Sequence, residues 1–254
     1  MYPVLFRIGD FEITSFGVLV AIAALAGLNV FARELRRSGF PEQGANAAVG
    51  GVLGGLLGAK VIWSIEFAGT APFTDLLFSR GGLSWFGGFA GGVGTGLWLL
   101  RRYRIPIVSG LAAAAPALAI GHAIGRIGCF LVGDDYGKPS TLPWAVAFPK
   151  GLPPTTVPVH PTQLYETAAL AVLALLLLRW RRQRVADHVV LARYLVSAGA
   201  IRFAIEFVRV NAHIAGPLTL AQLWSLGLIV SGMLLMFRRY PESERPPARS
   251  RRQA

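Results

Sequence analysis

The sequence predicts an all-α, polytopic membrane protein of seven transmembrane helices, with its N-terminus outside and its C-terminus in the cytoplasm. Three observations lead there. The 254 residues are 54% hydrophobic and only 15% charged, with a mean hydropathy of +0.52, whereas a soluble domain carries about 25% charged residues. Seven apolar segments of spanning length recur along the chain. Arginine clusters fall at every second link between them.

The segments run near 15–32, 45–65, 83–100, 107–125, 163–178, 190–210 and 218–237. The fifth is short, and the sixth carries charges. Links after the first, third, fifth and seventh read ARELRRSG, RRYR, RWRRQR and RRYPESERPPARSRRQA, and they hold sixteen of the 25 Lys and Arg residues. That alternation is the positive-inside pattern for an odd number of spans. The net charge of +12 therefore addresses anionic lipid headgroups, not nucleic acid. Residues 1–240 read as one integral-membrane domain with a long outer loop at 133–160, and 241–254 as a disordered, basic cytoplasmic tail. MYPVLFRIGDFEITS opens with mixed charges and no small-residue cleavage site follows, so no cleavable signal peptide is expected.

Thirty glycines, against an average usage of about 7%, suit closely packed membrane helices. Gly50-Gly51, Gly54-Gly55 and Gly58 repeat at four-residue spacing, as do Gly87-Gly88, Gly91-Gly92 and approximately Gly96. The outer loop holds Pro139, Pro143, Pro149, Pro153, Pro154 and Pro158, and is expected to lack regular structure. Its Trp144, Phe148 and Lys150 would lie along the outer membrane interface.

Charged residues at membrane depth are functional candidates, because each costs about 2.5–3.5 kcal/mol on insertion scales. Arg202, Glu206 and Arg209 follow an i, i+4, i+7 spacing on one helix face, extended by His213 if the helix continues. A salt bridge pinning two helices accounts for Glu206 and one arginine and leaves the second over. Two arginines around one carboxylate point to an additional anion, and the forked donors of arginine suit phosphate. In HPTQLYE, Pro161 fits the first turn of a helix, and Gln163 and Glu166 share a face. For Glu166 both helix-start chemistry and a role in the site stay open.

GHAIGRIGCFLVGDDYG places His122 and Arg126 four residues apart on one face. Its glycines lack the GxxxxGK[ST] phosphate-loop pattern. Cys129, the single cysteine, excludes an internal disulfide and reads as a small packing residue. The histidines at 122, 160, 188 and 213 are too scattered for a zinc site, and no metal is expected. GxSxG is absent, and Ser84 in SWFGG is no nucleophile elbow.

GRIGCFLVGDDYG, HPTQLYE, GGLSWFGG and FAIEFVR together resemble the prolipoprotein diacylglyceryl transferase family of bacterial inner-membrane enzymes. The resemblance covers nearly the whole chain, with the motifs in the family's order. It implies transfer of a diacylglyceryl group from phosphatidylglycerol to the lipobox cysteine of a preprolipoprotein, with release of glycerol phosphate. This is the first step of bacterial lipoprotein maturation, and its partners are phosphatidylglycerol, lipobox segments and membrane lipids. The family's reaction implies no cofactor and no metal. The chemistry needs cations on the departing phosphate and a route to the substrate thiolate.

Carried over by the motifs, Arg126 matches the arginine of the family's GR-G-NF and Arg202 the arginine of its later span, with Glu206 and Arg209 as companions. Arg126 and Arg202 would clamp phosphate and Glu206 would orient them. Lys60 falls where the family usually has arginine, and His160, Gln163 and Glu166 match HPSQLYE. Glu166 and Asp134 would support the headgroup region, while Asp135 reads as solvated. Several positions depart from the pattern: Phe86 replaces a histidine regarded as catalytic in the family's GGMSFHGG, and Cys129 replaces an asparagine. Asp134 stands for a glutamate, and Ala198 and Phe16 stand for tyrosines. His122, one turn before Arg126, is the candidate to take over as base, since an imidazole of pKa about 6.5 can accept a proton from a thiol near about 8.5. A histidine hydrogen-bonded within the bundle is the competing reading. Two other functions also stand beside the transferase: a divergent paralogue with another acceptor, and a non-enzymatic phospholipid-binding or transport protein. No internal repeat supports transport.

Overall fold

The computed structural model describes residues 4–9, 11–79 and 82–238. The expected tail at 241–254 lies outside the described residues. The elements in order are strands β1 (Val4–Ile8) and β2 (Phe11–Thr14), helix α1 (Ser15–Arg37), α2 (Asn46–Glu66), the short α3 (Phe73–Phe78), α4 (Trp85–Arg102) and α5 (Ile107–Val132). There follow β3 (Val146–Phe148), β4 (Thr155–Val159), α6 (Thr162–Arg182), α7 (Asp187–Glu206), β5 (His213–Ala215), β6 (Leu218–Thr219) and α8 (Leu220–Phe237).

Every one of the seven apolar segments forms a helix. Six are long and apolar enough to cross a membrane, so the chain is a mostly helical, multi-pass membrane protein. The exception is α4: WFGGFAGGVGTGLWLLRR carries six glycines and two arginines, which dilute its hydropathy. Three antiparallel two-stranded hairpins accompany the helices and modify the all-α expectation. One of them, β3–β4, lies inside the outer loop that was expected to lack structure. Its Phe148 is fully buried, stacked on Tyr136 at 5.4 Å and edge-on to Phe130, so it cannot serve the membrane interface. Trp144 stays 55% exposed, as an interfacial residue requires.

The chain divides into two compact units. Among the described residues, the first comprises 4–9, 11–30 and 112–238, and the second comprises 31–79 and 82–111. In the second unit α2 and α4 pack along their glycine ladders. A Cβ on Gly54 would stand 2.9 Å from the Gly91 carbonyl oxygen, and one on Gly55 would stand 3.3 Å from that of Gly88. Only glycine permits that approach. In the first unit α7 and α8 cross as tightly: a Cβ on Gly199 would lie 2.8 Å from Ser225 O, and one on Gly232 would lie 2.8 Å from Ala192 O. Leu170, Leu173, Ala174 and Leu177 of α6 repeat at i, i+3, i+4, i+7 and are buried as one stripe. The start of α8 is fixed by a capping box. Thr219 Oγ1 accepts from the Gln222 backbone N–H at 3.3 Å, and Gln222 Oε1 accepts from Thr219 N at 3.0 Å.

Candidate functional site

The polar residues of the first unit meet where α5 and α7 end and α6 begins. Helix α5 runs to Val132, seven residues past its expected end, so Arg126 and Cys129 lie in its last turns. The four-residue spacing stacks His122 and Arg126 on one face. Just beyond the helix, Gly133 (φ 79°) and Asp135 (φ 59°) both adopt the left-handed conformation, which aspartate tolerates better than most side chains. That turn swings the Asp135 carboxylate back over the helix end.

Ionisable side chains then follow one another without a break. His122 Nε2 lies 3.5 Å from Glu166 Oε1, and Arg126 Nε lies 2.8 Å from Glu166 Oε2. Arg126 Nη1 donates to Asp135 Oδ2 at 2.9 Å, and Arg209 Nη2 donates to Asp135 Oδ1 at 2.6 Å. Arg209 Nε stands 3.7 Å from Glu206 Oε2, which pairs with Arg202 Nη1 at 2.7 Å. Arg202 is also within electrostatic range of His122, so the two ends of the string lie near each other. Three guanidinium groups thus face three carboxylates. Burial of these charges demands that pairing: the side chains of Arg126, Glu166, Glu206 and Arg209 are at most 9% exposed.

The pairing does not use every donor. Arg126 Nη2 is buried with no hydrogen-bond partner among the described residues. Arg126 Nε and Arg202 Nη1 sit at ion-pair distance from their carboxylates but off the N–H direction, so neither makes a directed hydrogen bond. Arg202 is 27% exposed and has one ion-pair partner among the described residues, Glu206. Glu206 itself is locked on its other oxygen, which accepts from Asn211 Nδ2 at 2.6 Å and from Thr219 Oγ1 at 2.8 Å. The two aspartates of the turn are driven apart electrostatically. Burial raises both, but Arg209 and then Arg126 outweigh it at Asp135 and hold that carboxyl below the usual range. At Asp134 burial prevails and the carboxyl is pushed up.

Several expectations change. Helix α7 stops at Glu206, not near 210. Its final turn tightens to i→i−3 bonds at Phe207, Val208 and Arg209, and Arg209 then bridges to Gly137. Arg209 therefore stands beyond the helix yet keeps its place beside Glu206, and His213 falls in β5 instead of extending the α7 stripe. Asp135, expected to be solvated, is indeed 48% exposed but is also the aspartate that binds the arginines. Asp134 instead accepts from Gln163 Nε2 through its backbone oxygen, and its Oδ1 is buried without a partner among the described residues.

Glu166, for which helix-start chemistry and a role in the site were both open, faces Arg126. His160 sits edge-on to the Tyr165 ring, with Nδ1 3.3 Å from the Tyr165 hydroxyl, and its side chain has no hydrogen bond to an arginine among the described residues. Lys60 belongs to the other unit, where Nζ donates to Ser79 O and Oγ at 2.8 Å each and lies 4.7 Å from the centre of the Trp63 ring. Phe86 belongs to that unit as well and is 56% exposed. Cys129, Asp134 and Asp135 bring potential ligand atoms within 4.8 Å of one another. The Asp135 carboxylate is committed to two guanidinium groups there, which oppose a second cation.

Sequence reasoning missed Asp135, Asn211 and Thr219. A charge count offered a signal: three arginines called at depth had only Glu206 and Glu166 to meet them.

Comparison with known proteins identifies the family. The family model described as prolipoprotein diacylglyceryl transferase matches residues 3–238. A relative from Geobacter sulfurreducens is 30% identical over 247 residues, covering 92% of this chain and 93% of the relative. One from Pseudomonas putida is 32% identical over 252 residues, covering 94% of each. One from Nitratidesulfovibrio vulgaris is 33% identical over 263 residues, covering 97% of each. All three bear the name phosphatidylglycerol–prolipoprotein diacylglyceryl transferase. With the match running from the first strand to the end of α8, the chain belongs to the prolipoprotein diacylglyceryl transferase family.

Proposed function

We propose that the chain is a phosphatidylglycerol–prolipoprotein diacylglyceryl transferase. The lipobox thiol of a preprolipoprotein loses its proton, and its sulfur attacks the diacylglyceryl carbon that carries the phosphate. A C–S bond forms as the C–O bond to phosphate breaks, and glycerol phosphate departs. The observation that carries the reading is Arg126, buried with its Nη2 donor unpartnered among the described residues and linked through ion pairs to the partly exposed Arg202. Cations fixed in place by ion pairs stabilise charge that develops on a leaving phosphate. Glu206, fixed by Asn211 and Thr219, orients Arg202 and Arg209. Glu166 orients His122, which takes the thiol proton in place of the histidine that Phe86 replaces. Asp134, Gln163 and His160 shape the headgroup end, and Lys60 is a phospholipid-binding residue of the second unit.

The same reading takes α4 as a seventh span, in a single integral-membrane domain of residues 1–240 in the bacterial inner membrane. Arginines close the last turns of α1, α4 and α6, which supports an outside N-terminus and cytoplasmic C-terminus. Phe86 is the observation that favours the second reading, a paralogue with another acceptor.

The test incubates the purified protein with phosphatidylglycerol and a lipobox peptide, and reads diacylglyceryl on the peptide cysteine by mass spectrometry. Product from the wild type, with turnover falling on the order of 100- to 1,000-fold in Arg126→Ala and Arg202→Ala, is the expected result. No product, with a family member positive in parallel, would move the assignment to the second reading.

A further inference from the structure

We propose that Asp135 is a positioning residue for the transfer: its single carboxylate holds the Arg126 and Arg209 guanidinium groups in the orientation that the leaving phosphate requires. The inference rests on the transferase reading and deepens it.

Asp135 accepts four hydrogen bonds within the cluster. Oδ2 accepts from Arg126 Nη1 at 2.9 Å and Oδ1 accepts from Arg209 Nη2 at 2.6 Å. Its backbone oxygen accepts from Arg209 Nη1 at 3.1 Å and from Thr162 Oγ1 at 2.8 Å. One residue therefore joins α5, the start of α6 and the segment after α7. Arg209 grips it twice, through side chain and main chain, which fixes the guanidinium plane as well as its position. Arg126 has two other carboxylate and thiol neighbours, but neither replaces this contact. Its Nε approach to Glu166 is off the hydrogen-bond direction, and Cys129 Sγ is a weak acceptor 3.5 Å from Nη1. The Asp135 bond is thus the directed anchor of the Arg126 guanidinium, and it leaves Nη2 free to meet an anion. The left-handed backbone at Asp135 (φ 59°) is what brings the carboxylate back to the helix end. Such a contact acts through Arg126, since Asp135 need not touch the substrate. The ionised state that this role requires is the one favoured by the adjoining arginines.

The experiment uses the full chain in phosphatidylglycerol-containing nanodiscs with a lipobox peptide as acceptor. Asp135→Asn keeps the shape and removes the charge; Asp135→Glu keeps the charge. A misaligned cation affects the transition state more than ground-state binding. Asp135→Asn should therefore lower kcat on the order of 10- to 100-fold while KM for phosphatidylglycerol stays within about twofold. Asp135→Glu should recover part of that loss. Adding Asp135→Asn to Arg126→Lys should cost less than the product of the two single effects. Thermal midpoints and monodisperse elution, measured alongside, express each rate per folded molecule. If Asp135→Asn keeps kcat within about twofold of wild type, or if Asp135→Glu falls as far as Asp135→Asn, the proposal is overturned. A wild type that makes no product overturns the transferase reading and this proposal together, whereas an active wild type with an active Asp135→Asn overturns this proposal alone.

Discussion

At the scale of single residues, the site is a string of side chains each held by the next, and its weak points can be named. His122 is half-exposed and, among the described residues, is oriented by Glu166 at 3.5 Å, so its chemistry separates from its packing. His122→Gln should fold and bind lipid, yet lose on the order of 100- to 10,000-fold in kcat, read from initial rates at saturating lipid. Activity close to wild type would leave His122 as a packing residue. The two aspartates offer a pH test with opposite signs. Asp135 is depressed in the folded state, so its stabilising effect is complete above the ordinary carboxylate pKa of about 3.9 and is lost as pH falls below it. Asp134 is raised, so ionising it works against the fold, and that effect grows as pH rises from the ordinary value through the folded one. Thermal unfolding at neutral pH should show Asp135→Asn melting lower than wild type and Asp134→Asn melting no lower. The arginines were legible in the sequence because each sits alone in an apolar run. The role of Asp135 was not, because it depends on a left-handed turn that two adjacent aspartates do not announce.

At the scale of elements, the helices were legible and their exits were not. Apolar length located α2 and α6, while α5 runs seven residues past its apolar stretch and α7 closes through i→i−3 bonds that hydropathy does not report. The hairpin β3–β4 was hidden for a different reason: TTVPV contains a proline, which sequence rules assign to a loop or an edge strand. The glycine ladders were legible as packing devices and make a paired prediction within the second unit. A Cβ on Gly54 meets Gly91 O at 2.9 Å and Thr95 Cβ at 2.7 Å, whereas nothing lies within 4 Å of one on Gly94. Gly54→Val should force α2 and α4 apart at a cost of about 1–3 kcal/mol or more. Gly94→Ala should stabilise by about 0.5–1 kcal/mol, because glycine inside a helix is entropically costly. Thermal unfolding in detergent checks both, and equal effects would contradict the close crossing.

At the scale of the whole molecule, charge asymmetry sets orientation. The last turns of α1, α4 and α6 carry Arg36 and Arg37, Arg101 and Arg102, and Arg179, Arg181 and Arg182. All should face the cytoplasm. On a Cys129→Ser background, a membrane-impermeant maleimide added to intact spheroplasts should label Ser140→Cys and should reach Ser38→Cys only after permeabilisation. The reverse labelling would invert the topology. The division of the chain into two compact units was not legible, since both boundaries fall inside continuous helices, α1 and α5, where hydropathy does not change.

The hydroxyl of Thr219 has a consequence for which sequences the fold can accept. It spends its one proton on Glu206 and its lone pair on the first turn of α8. Alanine would forfeit both bonds. Aspartate would keep the helix start but set a second carboxylate against Glu206, and asparagine could keep the helix start only by turning its amide nitrogen toward Glu206. Only serine reproduces the pair of roles with one atom. The folding of the last helix and the aim of the clustered arginines are therefore inherited together, and a chain cannot drift at this position in one property while holding the other.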